Sequence, residues 1–259
     1  MDFGLRGKRA LVTGSTAGIG LAIAKSLAAE GATVWINGRT QERVDAAVTE
    51  VGNDAKGVVA DLAMAAGCET LFASLPEIDI LVNNLGIFET KPFLQIQDAE
   101  WLRFFETNVL SGVRVTRHYL QGMLDRKWGR VLFISSESGI QIPEEMVHYG
   151  VTKAAQIALA RGIAESIPAS GVTVNSLLPG PTDSEGVSTL ISKIAQEKGT
   201  SIEQVETDFI RDARPSSLNK RLAKVEEVAA MATYLCSEQA SATNGSPIRV
   251  DGGVVKSAY

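Results

Sequence analysis

Short apolar runs rich in β-branched residues alternate with longer amphipathic patterns along most of the chain, and this alternation limits the fold most strongly. Parallel strands need a crossover connection, usually a helix, so the alternation predicts an α/β protein with a doubly wound parallel β-sheet and helices on both faces, a three-layer αβα sandwich. The strands are predicted at residues 9–13, 33–37, 56–60, 79–82, 130–135, 172–177 and 248–250, and the main helices at 18–30, 40–51, 97–124, 149–166 and 226–236.

One long segment departs from the alternation. Residues 184–224 are polar, alternate poorly and are helix-prone only in pieces, a profile that is typical of a binding loop. Although 259 residues exceed the usual domain size of about 100–150, α/β sheets of about 250 residues often form one unit. We therefore expect a single domain over residues 1–259, with a substrate loop at about 184–224.

Charge and cysteine content exclude several classes of protein. The chain has 25 Lys and Arg against 30 Asp and Glu, a net charge of −5, and it lacks the basic stripe of a nucleic-acid binder. Its two cysteines, Cys68 and Cys236, are too few for a disulfide framework or a zinc cluster, so we expect no metal and a cytoplasmic location. No N-terminal run approaches the roughly 20 apolar residues of a membrane span, so no membrane partner is expected.

A glycine-rich loop joins the first predicted strand to the first predicted helix, at residues 13–20. Glycines at such a turn let the backbone approach a pyrophosphate, and the helix N-terminus offers N–H groups and a positive dipole end to it. The spacing G-x-x-x-G-x-G lacks the lysine of a P-loop. The loop therefore predicts that the domain is a dinucleotide-binding domain of Rossmann type.

The end of the second strand indicates which dinucleotide is bound. An NAD site usually has Asp or Glu there for the ribose 2′-hydroxyl, whereas a nearby Arg accommodates a 2′-phosphate. This chain has Asn37-Gly38-Arg39, and no carboxylate appears before Glu42. NADP(H) is thus favoured over NAD(H), with Arg39 as the phosphate ligand. In the alternative reading, Arg39 is simply a solvated residue of the first helical turn.

Three side chains are assigned to the chemistry. Ser136 follows the fifth predicted strand, at the carboxyl edge where doubly wound sheets bind ligands. Tyr149 and Lys153 are four residues apart and therefore share one helix face. A neighbouring ammonium is expected to lower the phenol pKa, which suits proton exchange with a carbonyl or carbinol oxygen. Ser136 would hydrogen-bond the same oxygen.

In this order, the motifs resemble the short-chain dehydrogenase/reductase family, and in particular its 3-oxoacyl carrier-protein reductase-like branch. Thirteen residues separate Ser136 from Tyr149, as is usual in that family. The resemblance runs nearly end to end, and its further segments are Asp61-Leu62, Asn83-Asn84-Leu85-Gly86, Thr107-Asn108-Val109, Val174-Asn175, Pro179-Gly180-Pro181-Thr182 and Asp251-Gly252-Gly253.

The resemblance implies a function and a set of site residues. The catalytic residues are expected to be Asn108, Ser136, Tyr149 and Lys153, with Asn108 anchoring a proton-relay water. Lys153 would also hold the nicotinamide ribose and Thr182 the carboxamide. The expected cofactor contacts are Gly14, Ser15, Thr16, Gly18, Ile19, Gly20, Arg39, Asp61, Leu62, Asn84, Gly86, Tyr149, Lys153, Pro179, Gly180 and Thr182.

Two residues depart from the family pattern. Leu85 replaces a small alanine, and we expect it to crowd the cofactor pocket or shift the backbone. Ala17 stands where many NADP-preferring members have Arg or Lys, which leaves the 2′-phosphate to Arg39. Family members are usually homotetramers or homodimers that associate through their long helices, and small residues on the helix at 149–166 fit such an association.

The expected activity is an NADP(H)-dependent interconversion of a ketone and a secondary alcohol. Two substrate classes are considered, a 3-oxoacyl carrier-protein thioester and a small cyclic or steroid-like ketone. Glu144 and Glu145 would either favour a cationic substrate or face solvent, and Arg211, Arg214 and Arg221 offer a weak match to an anionic carrier. The alternative of another class is a non-catalytic nucleotide-sensing protein on the same fold, which has no need of the four catalytic residues. A serine hydrolase is disfavoured because no G-x-S-x-G motif occurs.

Overall fold

A computed structural model describes residues 2–258, apart from the side chain of residue 190; the end residues Met1 and Tyr259 of the predicted domain lie outside it. The strands are β1 Arg9–Val12, β2 Thr33–Gly38, β3 Lys56–Val59, β4 Ile80–Asn83, β5 Gly129–Ile134, β6 Val172–Pro179, β7 Thr182–Asp183, β8 Ala223–Lys224 and β9 Pro247–Val250. The α-helices are α1 Gly18–Ala29, α2 Gln41–Val51, α3 Ala65–Ser74, α4 Asp98–Phe105, α5 Ser111–Asp125, α6 Val147–Ser166, α7 Glu185–Lys198, α8 Ile202–Ala213 and α9 Val225–Leu235.

Seven strands form one parallel sheet in the order β3-β2-β1-β4-β5-β6-β9. The predicted doubly wound sheet is confirmed. The chain runs outward from β1 in one direction through β3 and then resumes on the other side with β4, so the crossovers diverge between β1 and β4. Ligands of such sheets bind outside the carboxyl ends of the strands at this switch point. The glycine loop follows β1 and the Asn84 segment follows β4, so both lie there.

The sheet separates two apolar layers. Ala10 and Val12 of β1 point into one layer with α1, α2 and α9, whereas Leu11 points into the other with α3, α5 and α6. Strands β4, β5 and β6 are buried along their whole length, as expected of a parallel sheet covered on both faces. Burial on both faces fixes the strand register, and with it the position of the loops at the carboxyl edge.

Two segments differ from the predicted elements. The helix predicted at 97–124 is interrupted by a π-helical turn, Glu106–Leu110, between α4 and α5. The excursion at 184–224 contains α7 and α8, which share a small apolar core, and its ends are tied by the two-stranded sheet β7–β8. We refer to residues 184–224 as the substrate segment. No helix within residues 2–258 is both long and apolar enough to cross a membrane.

Candidate active site

A cavity of about 550 Å³ extends along the carboxyl edge of the sheet. One end is formed by the glycine loop, and the other by Ser136, Tyr149, Lys153 and the substrate segment. The residues after β4 and β6 form the walls between the two ends. A single elongated ligand can therefore touch the phosphate-binding loop and the candidate catalytic groups at once, which is the shape that a dinucleotide cofactor requires.

The glycine loop has a conformation that needs its glycines. Gly14 and Gly18 have φ values of +58° and +55°, in the left-handed region where a side chain is strained. At Gly20 a Cβ atom would lie 2.4 Å from Asn84 Nδ2 and 2.8 Å from the Gly14 carbonyl oxygen. Asn84 Nδ2 donates to the carbonyl oxygens of Thr13 and Gly14, at 3.0 and 2.9 Å. The loop is thus held by β4 in a shape that fits a phosphate cradle.

Asn37 fixes the same loop from the side of β2. Its Oδ1 accepts from the Gly14 backbone N–H, and its Nδ2 donates to the carbonyl oxygens of Val58 and Ala60 in the β3 segment. The Ser15 hydroxyl in turn donates to the carbonyl oxygen of Val12 and accepts from the Asn37 N–H. Sequence reasoning treated Asn37 only as a missing carboxylate, although a buried asparagine at a strand end is a signal for backbone bracing.

Arg39 follows β2 and is not among the residues that line the cavity. Arg39 is exposed and makes no hydrogen bond or ion pair within residues 2–258. Gly38 does not leave an open space, because a Cβ atom there would lie 2.4 Å from the methyl group of Thr16. Gly38 therefore allows the loop to pack against β2, and the guanidinium of Arg39 is the group that remains available for a phosphate.

The other predicted cofactor residues lie along the same edge. Asp61 is exposed and accepts from the Ala63 N–H, while Leu62 is buried in the core. The hydroxyl of Thr182 donates to the carbonyl oxygen of Gly180 at 2.9 Å, in the segment that follows β6. The cavity is lined by a further group of the predicted residues, namely Gly14, Gly18, Ile19, Gly20, Asn84, Gly86, Pro179, Gly180 and Thr182.

Leu85 is accommodated without closing the cavity. Its N–H donates to the Thr13 hydroxyl at 3.0 Å, and its side chain packs on the apolar layer around α5 and α6. A Cβ atom on Gly14 would lie 3.1 Å from Leu85 Cα, so the two segments are in close contact. Leu85 therefore lines the cavity beside the glycine loop, in contact with Gly14.

Ser136, Tyr149 and Lys153 all line the inner end of the cavity. Lys153 Nζ donates to the Ile134 carbonyl oxygen at 2.8 Å and lies 5.5 Å from the centre of the Tyr149 ring. The Ser135 hydroxyl donates to the Lys153 carbonyl oxygen, which fastens α6 to the end of β5. The structure thus brings the three residues together, as the sequence predicted, because α6 begins beside the turn that follows β5.

The electrostatics differ from the expectation for Tyr149. Burial, together with the negative charge of Glu137, raises the pKa of Tyr149 above its usual value, although the Ser136 hydrogen bond opposes this. Burial lowers the pKa of Lys153 to about 7, and the charge of Glu137 works against that shift. The structure therefore does not show the predicted lowering of the phenol pKa by Lys153: burial and the charge of Glu137 outweigh the Ser136 hydrogen bond and the charge of Arg214, and Lys153 is not among the groups that shift this pKa.

Asn108 lies within the π-helical turn. Its side chain accepts from the Ile87 N–H at 2.8 Å and donates to the Ile87 carbonyl oxygen and the Thr152 hydroxyl. Its backbone carbonyl oxygen accepts from Gln156 Nε2 at 2.6 Å, and Gln156 Oε1 accepts from Lys153 Nζ at 3.1 Å. Gln156 thus links Lys153 to Asn108. Sequence reasoning missed it, although it lies three residues after Lys153 on the same helix.

A buried ion pair next to Ser136 was also missed. Glu137 accepts from the Ser136 hydroxyl through Oε2 at 2.5 Å and from Arg214 Nε through Oε1 at 3.1 Å. The side chains of Glu137 and Arg214 are 5% and 9% exposed. Glu145 lies 3.4 Å from Arg214 and lines the cavity, whereas Glu144 is exposed outside it. An acidic residue directly after the candidate catalytic serine was the available signal.

The arginines that matched an anionic carrier do not form one surface. Arg214 is buried against Glu137, as described above. Arg211 pairs with Asp208 and Asp212, and Arg221 pairs with Glu227. The three side chains therefore do not combine into a basic patch.

Comparison with known proteins agrees with this geometry. Residues 8–195 match the family described as short chain dehydrogenase. The uncharacterized oxidoreductase YvaG of Bacillus subtilis is 46% identical over all of both chains. The 3-oxoacyl-[acyl-carrier-protein] reductase FabG of Aquifex aeolicus is 35% identical over 98% of this chain and all of that protein. The crystal structure of L-sorbose reductase from Gluconobacter frateurii with NADPH and L-sorbose has a TM-score of 0.94 and 30% identity, covering 99% of this chain and all of the other.

The family match covers well over half of the chain, and relatives above 30% identity are covered along their full length. The sheet order, the glycine loop at the switch point and the Ser–Tyr–Lys group at the cavity's inner end accord with that match. The chain therefore belongs to the short chain dehydrogenase family, whose members are NAD(P)-dependent oxidoreductases acting on CH–OH groups.

Proposed function

We propose that this protein is an NADP(H)-dependent oxidoreductase that interconverts a ketone and a secondary alcohol, with Tyr149 as the acid and base. One observation carries the proposal: a single cavity joins the glycine loop to Ser136, Tyr149 and Lys153. A nucleotide-sensing protein would need the glycine loop but not the group of Ser136, Tyr149 and Lys153.

The residues along the cavity fit a nicotinamide dinucleotide. Gly14, Gly18 and Gly20 would hold the pyrophosphate at the α1 N-terminus, and Arg39 the adenosine 2′-phosphate. Lys153 would hold the nicotinamide ribose and Thr182 the carboxamide. Gly86 lies next to Lys153, since a Cβ atom built on Gly86 would be 3.5 Å from Lys153 Nζ. When bound, the cofactor supplies the hydride for reduction and accepts it in oxidation.

The protein's own groups handle the proton. The raised pKa of Tyr149 keeps its phenol protonated near neutral pH, so Tyr149 holds the proton that the substrate oxygen receives in reduction. Ser136 donates a hydrogen bond to the same oxygen and stabilises the charge that develops on it. The substrate oxygen would gain the phenolic proton of Tyr149 as its carbon is reduced, and solvent would then restore the proton to Tyr149. Asn108 and Gln156 hold Lys153 and the adjoining segment in position.

Arg39 is the residue on which the preference for NADP(H) depends. An exposed guanidinium without a partner in residues 2–258 can form a charge-assisted, bidentate contact with a phosphate. We expect Arg39→Ala to weaken NADPH binding by about 10-fold or more, since a hydrogen bond to a charged group contributes about 1.5–3 kcal/mol. NADH, which lacks the 2′-phosphate, serves as the internal control and should bind almost as well as before. Fluorescence titration measures both; an equal loss for the two cofactors contradicts the proposal.

The substrate class has two candidates within this function. The relative named 3-oxoacyl carrier-protein reductase supports a thioester substrate, and the L-sorbose reductase supports a small hydroxylated ketone. The absence of a combined basic patch around Arg211, Arg214 and Arg221 favours the small ketone. A panel of ketones and alcohols, read by NADPH absorbance and repeated with NADH, tests the proposal. Turnover of a ketone with NADPH is expected, and no turnover of any compound with either cofactor contradicts it.

A further inference from the structure

The inner end of the cavity contains a buried carboxylate that the proposed reaction does not use. Glu137 is 4% exposed, although acidic side chains are almost never buried without partners. It lies directly after Ser136, and both residues line the cavity. The ion pair with Arg214 connects it to the end of α8, in the substrate segment. A charge in this place is close enough to the reacting oxygen to contact a substrate.

In the protein without ligands, both carboxylate oxygens of Glu137 are satisfied. Oε1 accepts from Arg214 Nε, and Oε2 accepts from the Ser136 hydroxyl. The Ser136 hydroxyl has one hydrogen, and in the proposed reaction that hydrogen turns to the substrate oxygen. Oε2 of Glu137 then loses its donor. A buried charged group without its hydrogen bond costs free energy, so a substrate that restores the bond is favoured over one that does not.

A hydroxyl group on the carbon next to the carbonyl is placed to restore that bond. Two oxygens on adjacent carbons are separated by roughly 2.8 Å, about one hydrogen-bond length. Ser136 Oγ and Glu137 Oε2 are 2.5 Å apart. If Ser136 contacts the carbonyl oxygen, the neighbouring hydroxyl therefore falls within reach of Glu137. It would donate to Oε2 the hydrogen bond that Ser136 withdraws.

Arg214 contributes a second polar group at the same place. Its Nε bonds Glu137, and its Nη1 bonds Glu145 and the Ala213 carbonyl oxygen. Its Nη2 has no hydrogen-bond partner within residues 2–258 and is not among the fully buried atoms that lack one, so this atom keeps some exposure, and Arg214 is one of the residues that line the cavity. An Nη2 donor is complementary to the oxygen of a hydroxyl group.

The charges at this end disfavour an anionic substrate. Glu137 and Glu145 contribute two negative charges around the one positive charge of Arg214. A substrate carboxylate in contact with Glu137 would be repelled by it, whereas a neutral hydroxyl group can donate to Glu137 and accept from Arg214. Apolar side chains, among them Ile191, Val205 and Phe209, form the rest of the wall around the pair.

We propose that Glu137 and Arg214 form a hydroxyl-recognition pair, and that the substrate is a neutral carbonyl compound with a hydroxyl group on the adjacent carbon. This inference rests on the proposed function, because it assumes that Ser136 contacts the reacting oxygen. It assigns Glu137 and Arg214 to substrate specificity and makes the substrate segment responsible for holding the carboxylate in place.

Matched pairs of ketones test the proposal. We expect NADPH-dependent reduction of acetoin to exceed that of 2-butanone, and 2-hydroxycyclohexanone to exceed cyclohexanone, by about 10- to 100-fold in kcat/KM. Each pair differs only in the hydroxyl group. A ratio near or below one in both pairs overturns the inference while leaving the proposed function intact. Failure of every ketone with both NADPH and NADH contradicts the proposed function itself and the inference with it.

Variants separate recognition from the intrinsic reactivity of hydroxyketones. Glu137→Gln should lower the ratio within each pair by about 10-fold, and Arg214→Lys, which keeps the charge but lacks Nη2, should also lower it. The control variants Glu144→Gln and Arg211→Lys alter exposed neighbours and should keep the wild-type ratio. The ratio is measured within one variant, so a general loss of activity does not affect it. An unchanged ratio in both Glu137→Gln and Arg214→Lys, with folding verified by circular dichroism, overturns the inference.

Discussion

Lys153 places an amine in a position where its charged form is costly. The side chain is buried, and desolvation lowers its pKa to about 7 from an ordinary value near 10.5. At a pH between these two values, the unfolded chain binds a proton that the folded chain does not bind. Stability therefore rises with pH across this range, and the destabilisation is complete below about pH 7. Lys153 thus lowers stability below about pH 7, although it is the residue proposed to hold the nicotinamide ribose.

The variant Lys153→Met removes the buried amine and tests its effect on stability. The variant should lose activity, because the group that would hold the nicotinamide ribose is gone. The free energy of unfolding of the variant minus that of the wild type should be larger at pH 6 than at pH 9.5, since only the wild type has an ammonium to bury. Urea denaturation at the two pH values measures the difference. A stability difference independent of pH would contradict the assignment.

As the proposed acid and base, Tyr149 should make the two reaction directions respond differently to pH. Burial and the Glu137 charge raise its pKa, so the phenol is protonated throughout the neutral range. Alcohol oxidation requires the phenolate, whose fraction grows about tenfold per pH unit below the pKa. We expect kcat/KM for oxidation to rise with pH between about 6 and 9, and that for ketone reduction not to rise. Steady-state rates in both directions test this; a matching rise in both directions would contradict the role of Tyr149.

Glu137 shows why sequence reasoning left part of the site out. Ser136, Tyr149 and Lys153 were predictable because their spacing follows from one strand end and one helix face. The partner of Glu137 is Arg214, which is distant in sequence and comes from the substrate segment. A contact of this kind depends on how α8 folds back over the sheet, and no local pattern encodes it. The sequence therefore indicated an acidic residue but not its burial.

At the scale of elements, the π-helical turn positions Asn108. The sequence predicted a continuous helix at 97–124, since its apolar pattern continues through the turn and a π-helix has no separate propensity signal. The wider turn at Glu106–Leu110 places the Asn108 carbonyl oxygen against Gln156 of α6. Such turns occur often at functional sites. Here the π-helical turn before α5 is joined to α6 through the buried side-chain amide of Gln156.

Gln156→Leu tests that connection. The substitution preserves size but removes the hydrogen bonds to the Asn108 carbonyl oxygen and to Lys153. We expect the free energy of unfolding to fall by about 1–3 kcal/mol, the cost of leaving buried polar groups unpaired, and kcat to fall with it. Gln196→Leu, at an exposed position of α7, is the matched control and should change the free energy of unfolding by less than about 0.5 kcal/mol. Equal effects of the two substitutions in urea denaturation would contradict the assigned linkage.

The substrate segment marks the other limit of prediction at this scale. Its polarity and poor alternation indicated an excursion, and in the structure this stretch forms α7, α8 and β8, none of which belongs to the seven-stranded sheet. The pairing of β7 with β8 and the packing of α7 on α8 were not predictable, because each strand has two residues and the apolar contacts are few. The segment's boundaries followed from composition, whereas its internal arrangement depends on tertiary contacts.

At the scale of the whole molecule, oligomerisation remains a prediction from the family resemblance. On α6, Ala158 and Gly162 are exposed, and a Cβ atom built on Gly162 would have no atom of residues 2–258 within 4 Å apart from its chain neighbours and the backbone of its own helix. A large side chain there is compatible with the folded chain but would obstruct close approach of a second copy.

We therefore expect the wild type to have two or four times the mass of one chain, and Gly162→Trp to reduce that mass at least by half. Light scattering after size-exclusion chromatography measures it. Thr49→Trp, which also introduces a tryptophan at an exposed helix position, this time on α2, is the control and should retain the wild-type mass. A monomeric wild type, or a Gly162→Trp variant of unchanged mass, would contradict the expected dimer or tetramer.

The central claim is that one cavity combines cofactor binding with proton donation by Tyr149. The most direct test compares the wild type with Tyr149→Phe in NADPH-dependent ketone reduction, with NADPH affinity measured by fluorescence titration on the same samples. The account predicts a loss of about 10²–10⁴-fold in kcat, the usual contribution of a positioned acid, with NADPH affinity changed little. A Tyr149→Phe variant that reduces the ketone at the wild-type rate would contradict it.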